Sequence, residues 1–339
     1  MVDRMPVTNQ TVTKTTTYQM KSTDLVVNAS ISGGSWTLTL PPVGEAEGTT
    51  FTINCTAGAT NAAPNTLSIN DKGDSLRWNG IIKLRRPGQS AVLTSDGTTW
   101  RRDYIRNGQQ VLPADKYVHE MFETMPTQGT KAGGAPSATL ENVLRCGSGM
   151  EFSWIAIVGQ TLMPTWGDPG LDIACDQTGS DGFEMSTGIG AGNPRQFTIS
   201  TDGAFFVRVR GTIADVSGYT EFAVGFRKRA AYAAAIDDYT DMAVLNVQAG
   251  AVFIETILNN AATTSTDTTN TWADAATHSL AVLVTKAGVV TYQYDDAAPT
   301  TVAAFTFDST DEVIPFIHFL QGADLAGATP ILEFECGYQ

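Results

Sequence analysis

An all-β architecture in two parts is what this sequence predicts, and three observations predict it. Thr, Gly, Ala, Asp and aromatic residues are abundant while Lys, Glu and Leu are scarce, a balance that favours strands and tight turns over helices. Short alternations of apolar and polar residues, separated by Gly, Asn and Asp turns, recur along most of the chain. The 339 residues also exceed what one hydrophobic core serves, so two cores are expected.

Residues 1–107 read as a small β module. Its runs are Leu25–Val27, Trp36–Leu40, Thr50–Ile53, Thr66–Ile69, Ile81–Leu84 and Ala91–Thr94, and period-two spacing in Trp36/Leu38/Leu40 and Phe51/Ile53 places apolar side chains on one face of each strand. Large apolar residues are few here, so the module is expected to complete its core against copies of itself, as an attachment and oligomerisation unit. Residues 108–149 differ in texture. Tyr117, Val118, Met121 and Phe122 have helical spacing and predict a short helix within Asp115–Met125, while Pro126–Ala138, with Gly133, Gly134 and Pro136, reads as a linker or an arm that wraps a neighbour.

From 150 to 339 strands return and lengthen. They are expected at Glu151–Val158, Gln196–Ser200, Ala204–Arg210, Thr220–Lys228, Met242–Val247, Ala251–Leu258, His278–Thr285, Val289–Tyr294, Val302–Phe307, Ile314–Leu320 and Ile331–Glu335, the pattern of a sandwich or barrel. Val207/Val209 alternate with Arg208/Arg210, and Phe222/Val224/Phe226 with Glu221/Ala223/Gly225, which predicts antiparallel strands buried on one face. Lys286-Ala287-Gly288 reads as a hairpin turn in which Gly288 supplies positive φ.

Two resemblances follow from quoted residues. The N-terminal series "DLVVNAS", "WTLTLPPV", "GTTFTIN" and "LTSDGTTWRRD", with Leu40-Pro41 closing a strand and Ser95, Asp96, Gly97 and Trp100 in a final hairpin, resembles a small β module of bacteriophage tail-fibre and virion-surface proteins. The C-terminal region, through Trp272, Asp274, His278, Leu280, Gly288 and Tyr292, resembles concanavalin-like jelly rolls of the lectin, glucanase and laminin-G type. These signatures imply a β-sandwich (jelly roll) and no catalysis by themselves.

Residues 1–107 hold 11 Lys/Arg against 8 Asp/Glu, which leaves 10 against 27 for the remainder. So acidic a C-terminal part repels nucleic acid, whose phosphates need Lys/Arg to displace counterions, and it repels anionic membranes equally. No apolar run nears the roughly 20 residues that span a bilayer, and Met1–Gln19 does not resemble a signal peptide, so synthesis in a bacterial cytoplasm without membrane insertion is expected.

Chemistry is sparsely indicated. Cys55, Cys146, Cys175 and Cys336 are scattered without zinc spacing, and a Cys175–Cys336 bridge is left open. Glu333 and Glu335 share the alternate spacing of glucanase carboxylates but read as a solvated strand face. Asp237, Asp238 and Asp241, and Asp295 and Asp296, read as solvated turns rather than calcium loops. His119, His278 and His318 accompany no nucleophile motif, and Gly188–Gly192 lacks the strand-then-helix setting of a nucleotide loop. Neither catalytic residues, nor a metal, nor a cofactor is expected. Trp166 and Tyr239, in polar turn-rich segments, are the candidates for stacking on sugar.

The sequence thus leads to a non-enzymatic virion-surface protein. In the first form it is a capsid decoration (cement) or head-fibre homotrimer docked on the major capsid protein or another virion component; in the alternative it is a short tail fibre or spike that recognises a host glycan.

Overall fold

The computed structural model describes residues 11–57, 65–71, 82–84, 87–106, 118–121, 127–130, 142–146, 151–157, 164–167, 170–174, 179–187, 196–230 and 232–338, with backbone alone for 101–106, 118–121, 127–130, 142, 145, 151 and 166–167. The chain divides into two compact units, Met1–Leu112 and Pro113–Gln339. Among the described residues both are built of β-strands, with single turns of 3-10 helix at Val43–Ala46 and Ile236–Asp238. Among the described residues no helix is long and apolar enough to cross a membrane.

The first unit alternates between two sheets. Its strands are β1 (Thr11–Lys14), β2 (Tyr18–Gln19), β3 (Val26–Ser30), β4 (Trp36–Thr39), β5 (Thr50–Ala57), β6 (Leu67–Asn70), β7 (Ile82–Leu84), β8 (Ser90–Ser95) and β9 (Trp100–Arg106). One sheet has the order β1-β3-β5-β8-β9 and the other β2-β4-β6-β7. Each early strand is followed by one in the opposite sheet, so the chain returns one rung later in the same direction; β1, β3 and β5 are therefore parallel, as are β2, β4 and β6. Alternate residues Leu38, Phe51, Ile53, Leu67 and Ile69 point inward, and Trp100 packs edge-on against Phe51 with ring centroids 5.6 Å apart. The β8–β9 hairpin turns on Asp96. Its carboxylate accepts from the Thr99 and Thr98 amides and both threonine hydroxyls, which hold it far below the ordinary carboxylate range.

The second unit is a two-sheet sandwich. In chain order its strands are β10 (Val118–Met121), β11 (Thr127–Thr130), β12 (Asn142–Arg145), β13 (Glu151–Ile157), β14 (Thr165–Gly167), β15 (Gly170–Asp172), β16 (Gly182–Ser186), β17 (Phe197–Thr198), β18 (Phe205–Thr212), β19 (Tyr219–Lys228), β20 (Met242–Gln248), β21 (Ala251–Ile257), β22 (Thr264–Thr271), β23 (Thr277–Val284), β24 (Val290–Tyr294), β25 (Glu312–Gln321) and β26 (Pro330–Tyr338). The larger sheet has the order β11-β12-β13-β16-β25-β19-β20-β21-β22, with β17 beside β25; the smaller has β14-β15-β26-β18-β23-β24, with β10 beside β26. The core lies between them. Phe152 meets Phe334 at 4.9 Å and Phe205 meets Phe226 at 5.0 Å across the layers, while Val207, Val209, Phe222, Val224 and Phe226 all face inward as their alternation predicts. Gly288 makes the β23–β24 turn at φ 85°.

Four expectations are corrected. The segment 108–149 does not stand apart as a linker, since β10, β11 and β12 lie within it and belong to the second unit's sheets. Its predicted helix is instead β10, antiparallel to β26 with Val118 opposite Cys336; available pairing on a sheet overrides a weak helical spacing. Gly133, Gly134 and Pro136 lie outside the described residues. Val302–Phe307 forms no strand, only a bridge from Thr306 to Val289, while Phe305 and Phe307 plug the core. The one-face-buried pattern also fails in part, because Arg208 and Ala223, on the faces turned away from the core, are buried as well.

Candidate functional site

Of the two residues predicted to stack on sugar, Tyr239 is only 2% exposed and is corrected to an interior residue. It belongs to the β19–β20 loop and turns inward, its hydroxyl donating to a buried carboxylate, Glu184. Trp166 sits on β14, paired with Leu171 of β15, and its side chain lies outside the described residues. Glu333 and Glu335 are buried rather than solvated. Arg208 Nη1 donates to Glu335 Oε2 at 3.0 Å and neutralises it.

The loop carboxylates are held by groups of neighbouring loops and strands. Asp241 takes the Asn259 amide at 2.9 Å and Lys228, Asp237 takes the Thr263 hydroxyl, and Asp295 takes the Ser279 amide at 3.0 Å and meets His278 Nδ1 at 2.7 Å. Among the described residues no group of His, Cys, Asp and Glu could hold a metal ion. Cys55 is buried, and burial pushes its thiol up to about 11, which leaves it a packing residue. Cys175, the Gly188–Gly192 stretch and the side chain of His119 lie outside the described residues.

Polar side chains do converge elsewhere, on the outer face of the larger sheet. The face has two halves. The first is covered by the loop between β19 and β20, whose Ile236 and Tyr239 pack on Ala223, Met242, Val244, Ile257 and Phe316. Beneath that cover Arg227 and Glu184, both 0% exposed, form a fully buried ion pair, with Nη2 and Nε donating to Glu184 Oε1 at 2.7 and 3.2 Å. Tyr239 donates to Glu184 Oε2, and its ring lies under the guanidinium, centroid to Cζ 4.5 Å. Arg227 Nη1 also donates to the Lys228 and Ala230 carbonyls. Burial opposes the charge on Arg227, but Glu184 and Tyr239 outweigh it and hold the guanidinium protonated; burial and then Glu184 raise the Tyr239 phenol.

The second half is polar and partly open. The Ala249-Gly250 turn, at φ 46° and 86°, folds β20 onto β21 so that Asn246 lies opposite Phe253 and Val244 opposite Glu255. Phe253 points away from the core and is half-buried, with Asp267 of the edge strand β22 as its other neighbour. Glu255 accepts from Asn246 Nδ2 and Gln248 Nε2 at 2.8 Å each and from the exposed Ser265 hydroxyl at 3.2 Å. Burial raises its carboxyl pKa, the three donors lower it, and the charge of Glu221 raises it further.

Glu221 and His318 lie between the two halves, with His318 directly opposite Glu184 on the β16–β25 ladder and opposite Ala223 on β19. His318 is 0% exposed, Glu221 is 13% exposed, and Nδ1 approaches Glu221 Oε2 at 2.8 Å without hydrogen-bond alignment. The other ring nitrogen of His318, Nε2, and the Tyr232 hydroxyl are buried with no hydrogen-bond partner. Motif reasoning assigns a binding role to none of Glu221, Asn246, Phe253, Glu255 and His318. The available signal is their place at the alternate, non-core positions of strongly predicted strands.

No protein-family model matches the sequence, and no curated protein matches it. Among solved structures the chain is similar to a protein of unknown function from Shewanella oneidensis MR-1, with 14% identity over 66% of this chain and 86% of that one at a TM-score of 0.38. It is similar to the carbohydrate recognition domain of Emp46p in its potassium-bound form, with 6% identity over 55% and 88% at 0.41. A third is the carbohydrate binding module CBM66 from Bacillus subtilis, with 14% identity over 53% and 94% at 0.33.

Proposed function

We propose that the chain is a non-catalytic attachment protein on the surface of a bacteriophage particle, in which the C-terminal sandwich binds carbohydrate and the N-terminal unit joins the major capsid protein or another virion component. The observation that carries the binding half of this reading is the half-buried Phe253 with Asn246, Gln248, Glu255, Ser265 and Asp267 around it on the outer sheet face. An aromatic ring stacks on the C–H face of a pyranose, and amides and carboxylates beside it fix the ring hydroxyls. Hydrolysis is not part of the reading. A glycosidase needs two available carboxyl groups about 5 to 9 Å apart, whereas Glu184 is held by Arg227 and Tyr239, and Glu255 by three donors.

The virion half rests on the N-terminal resemblance and on the charge contrast between the near-neutral N-terminal part and the acidic remainder. A homotrimer is the assembly proposed. Calorimetric titration of the full chain with an oligosaccharide panel tests the binding half: the Phe253→Ala protein should bind at least tenfold more weakly with its melting curve unchanged, and a wild-type protein that binds none of the panel ends the reading. Detection of the chain in purified particles tests the virion half. A copy number matching the shell subunits identifies a decoration protein, and a few copies at the tail identify a spike.

A further inference from the structure

Resting on the carbohydrate reading above, we propose that the Phe253 face selects uncharged glycans. It takes neutral hexose units whose hydroxyls donate to Gln248 and Asp267, and it turns away sugars that bear a carboxylate, sulfate or phosphate. The face is built on three neighbouring strands, β20, β21 and β22, and none of them contains a Lys, Arg or His. From residue 230 to residue 285 the chain holds Asp237, Asp238, Asp241, Glu255, Asp267 and Asp274 and no Lys or Arg. The basic groups of the adjoining strands β19 and β25 are already engaged, Arg227 by Glu184, Lys228 by Asp241 and Asp311, and His318 by Glu221. An anionic sugar stacked on Phe253 would therefore meet carboxylates and, among the described residues of these strands, no available cation.

The hydrogen bonds of the face run the same way. An ionised carboxylate only accepts, so Glu255 turns an amide hydrogen of Asn246, one of Gln248 and the Ser265 hydroxyl hydrogen toward itself, at 2.8, 2.8 and 3.2 Å. Gln248 stands opposite Ala251 and Glu255 opposite Val244, so their bond spans the rung of Asn246 and Phe253 and forms one flank of the platform. Asp267 forms the other flank, opposite Phe253 on the edge strand, and its Oδ1 takes the Thr269 amide at 2.7 Å. What these groups leave for a ligand is mostly acceptors, namely Gln248 Oε1, the Ser265 oxygen and Asp267 Oδ2, against one remaining amide hydrogen of Gln248. Ser265 and Asp267 are exposed and Gln248 is half-buried, so these atoms are reached from the sheet edge. Sugar hydroxyls supply the donors that such acceptors need. A carboxylate, sulfate or phosphate oxygen is an acceptor set against acceptors.

The experiment is calorimetry on the full chain with hexasaccharides in matched pairs, the glucose, galactose and mannose oligomers each beside the corresponding uronate. In any pair that binds, the neutral member should bind about tenfold more tightly than its uronate at low salt, and the gap should narrow as salt rises. That salt dependence needs no variant. Asp267→Asn, at an exposed edge position, should narrow the gap by strengthening uronate binding, and Asp267→Lys should close or reverse it. Phe253→Ala should weaken the neutral member. A wild type that binds both members of a pair alike, or prefers the uronate, overturns the selection of uncharged sugars, as does a gap that neither salt nor an Asp267 variant moves. In those cases the carbohydrate reading stands as long as Phe253→Ala weakens binding. No binding of any probe by the wild type overturns both.

Discussion

On the covered half of the larger sheet's outer face, Glu184 receives two hydrogen bonds from Arg227 and one from Tyr239, and the loop above excludes water. Six residues before Arg227 on β19, Glu221 meets a single partner, His318 Nδ1, at 2.8 Å and keeps some exposed surface. The two carboxylates stand on one face of one sheet, yet one has three donors beneath a closed cover and the other has one imidazole at a partly open edge. The difference lies in the cover. The β19–β20 loop brings Tyr239 and its apolar neighbours over the first half, whereas the β20–β21 hairpin leaves Phe253, Gln248 and Ser265 reachable from solvent. The closed ion pair holds the cover onto the sheet face, and the other half keeps its polar groups at the surface.

Breaking the covered half should have the largest effect. Arg227→Ala strands a buried carboxylate, and a loss of about 3–5 kcal/mol is expected from the denaturant midpoint of the second unit. The double variant Arg227→Met/Glu184→Leu should recover most of that loss, because an apolar pair of similar volume removes both desolvation penalties. Tyr239→Phe removes one donor to the charged Glu184 and should cost about 1.5–3 kcal/mol in the same measurement.

The polar half should respond less and with the opposite sign. The Glu255 carboxyl has a pKa raised by burial, so the folded state holds its proton more tightly than the unfolded chain. That contribution is fully present below the unfolded carboxyl pKa and is lost as pH rises through the raised folded value. Glu255→Gln should therefore flatten the stability profile on the weakly acidic side and leave the protein no less stable at neutral pH, to within about 1 kcal/mol. A profile identical to the wild type's would mean that the three donors fully offset burial, and the contrast between the halves would then rest on Glu221 alone.

Strands with alternating apolar residues are legible in the sequence, as Val207/Val209 and Phe222/Val224/Phe226 show, and so is the turn at Gly288. The polar edge strand β22, TSTDTTNT, is not, because an edge strand facing solvent has no apolar alternation to reveal it. Nor is β10, whose residues carry a helical spacing and become a strand only where β26 offers its edge. The candidate site is the least legible part. Tyr239 has the local setting of an exposed loop aromatic and is interior, while Phe253 has that of an ordinary strand residue and is the open one.

Local patterning alone dictates the all-β class, the core-facing positions of the long strands and the acidic character of the C-terminal part, since alternation and charge are properties of neighbouring residues in the chain. Which carboxylates are partnered is a matter of the tertiary fold. Glu184 and Arg227 are 43 residues apart, and Glu221 and His318 meet solely through the β19–β25 ladder, so their pairing depends on register between distant strands that no local pattern encodes.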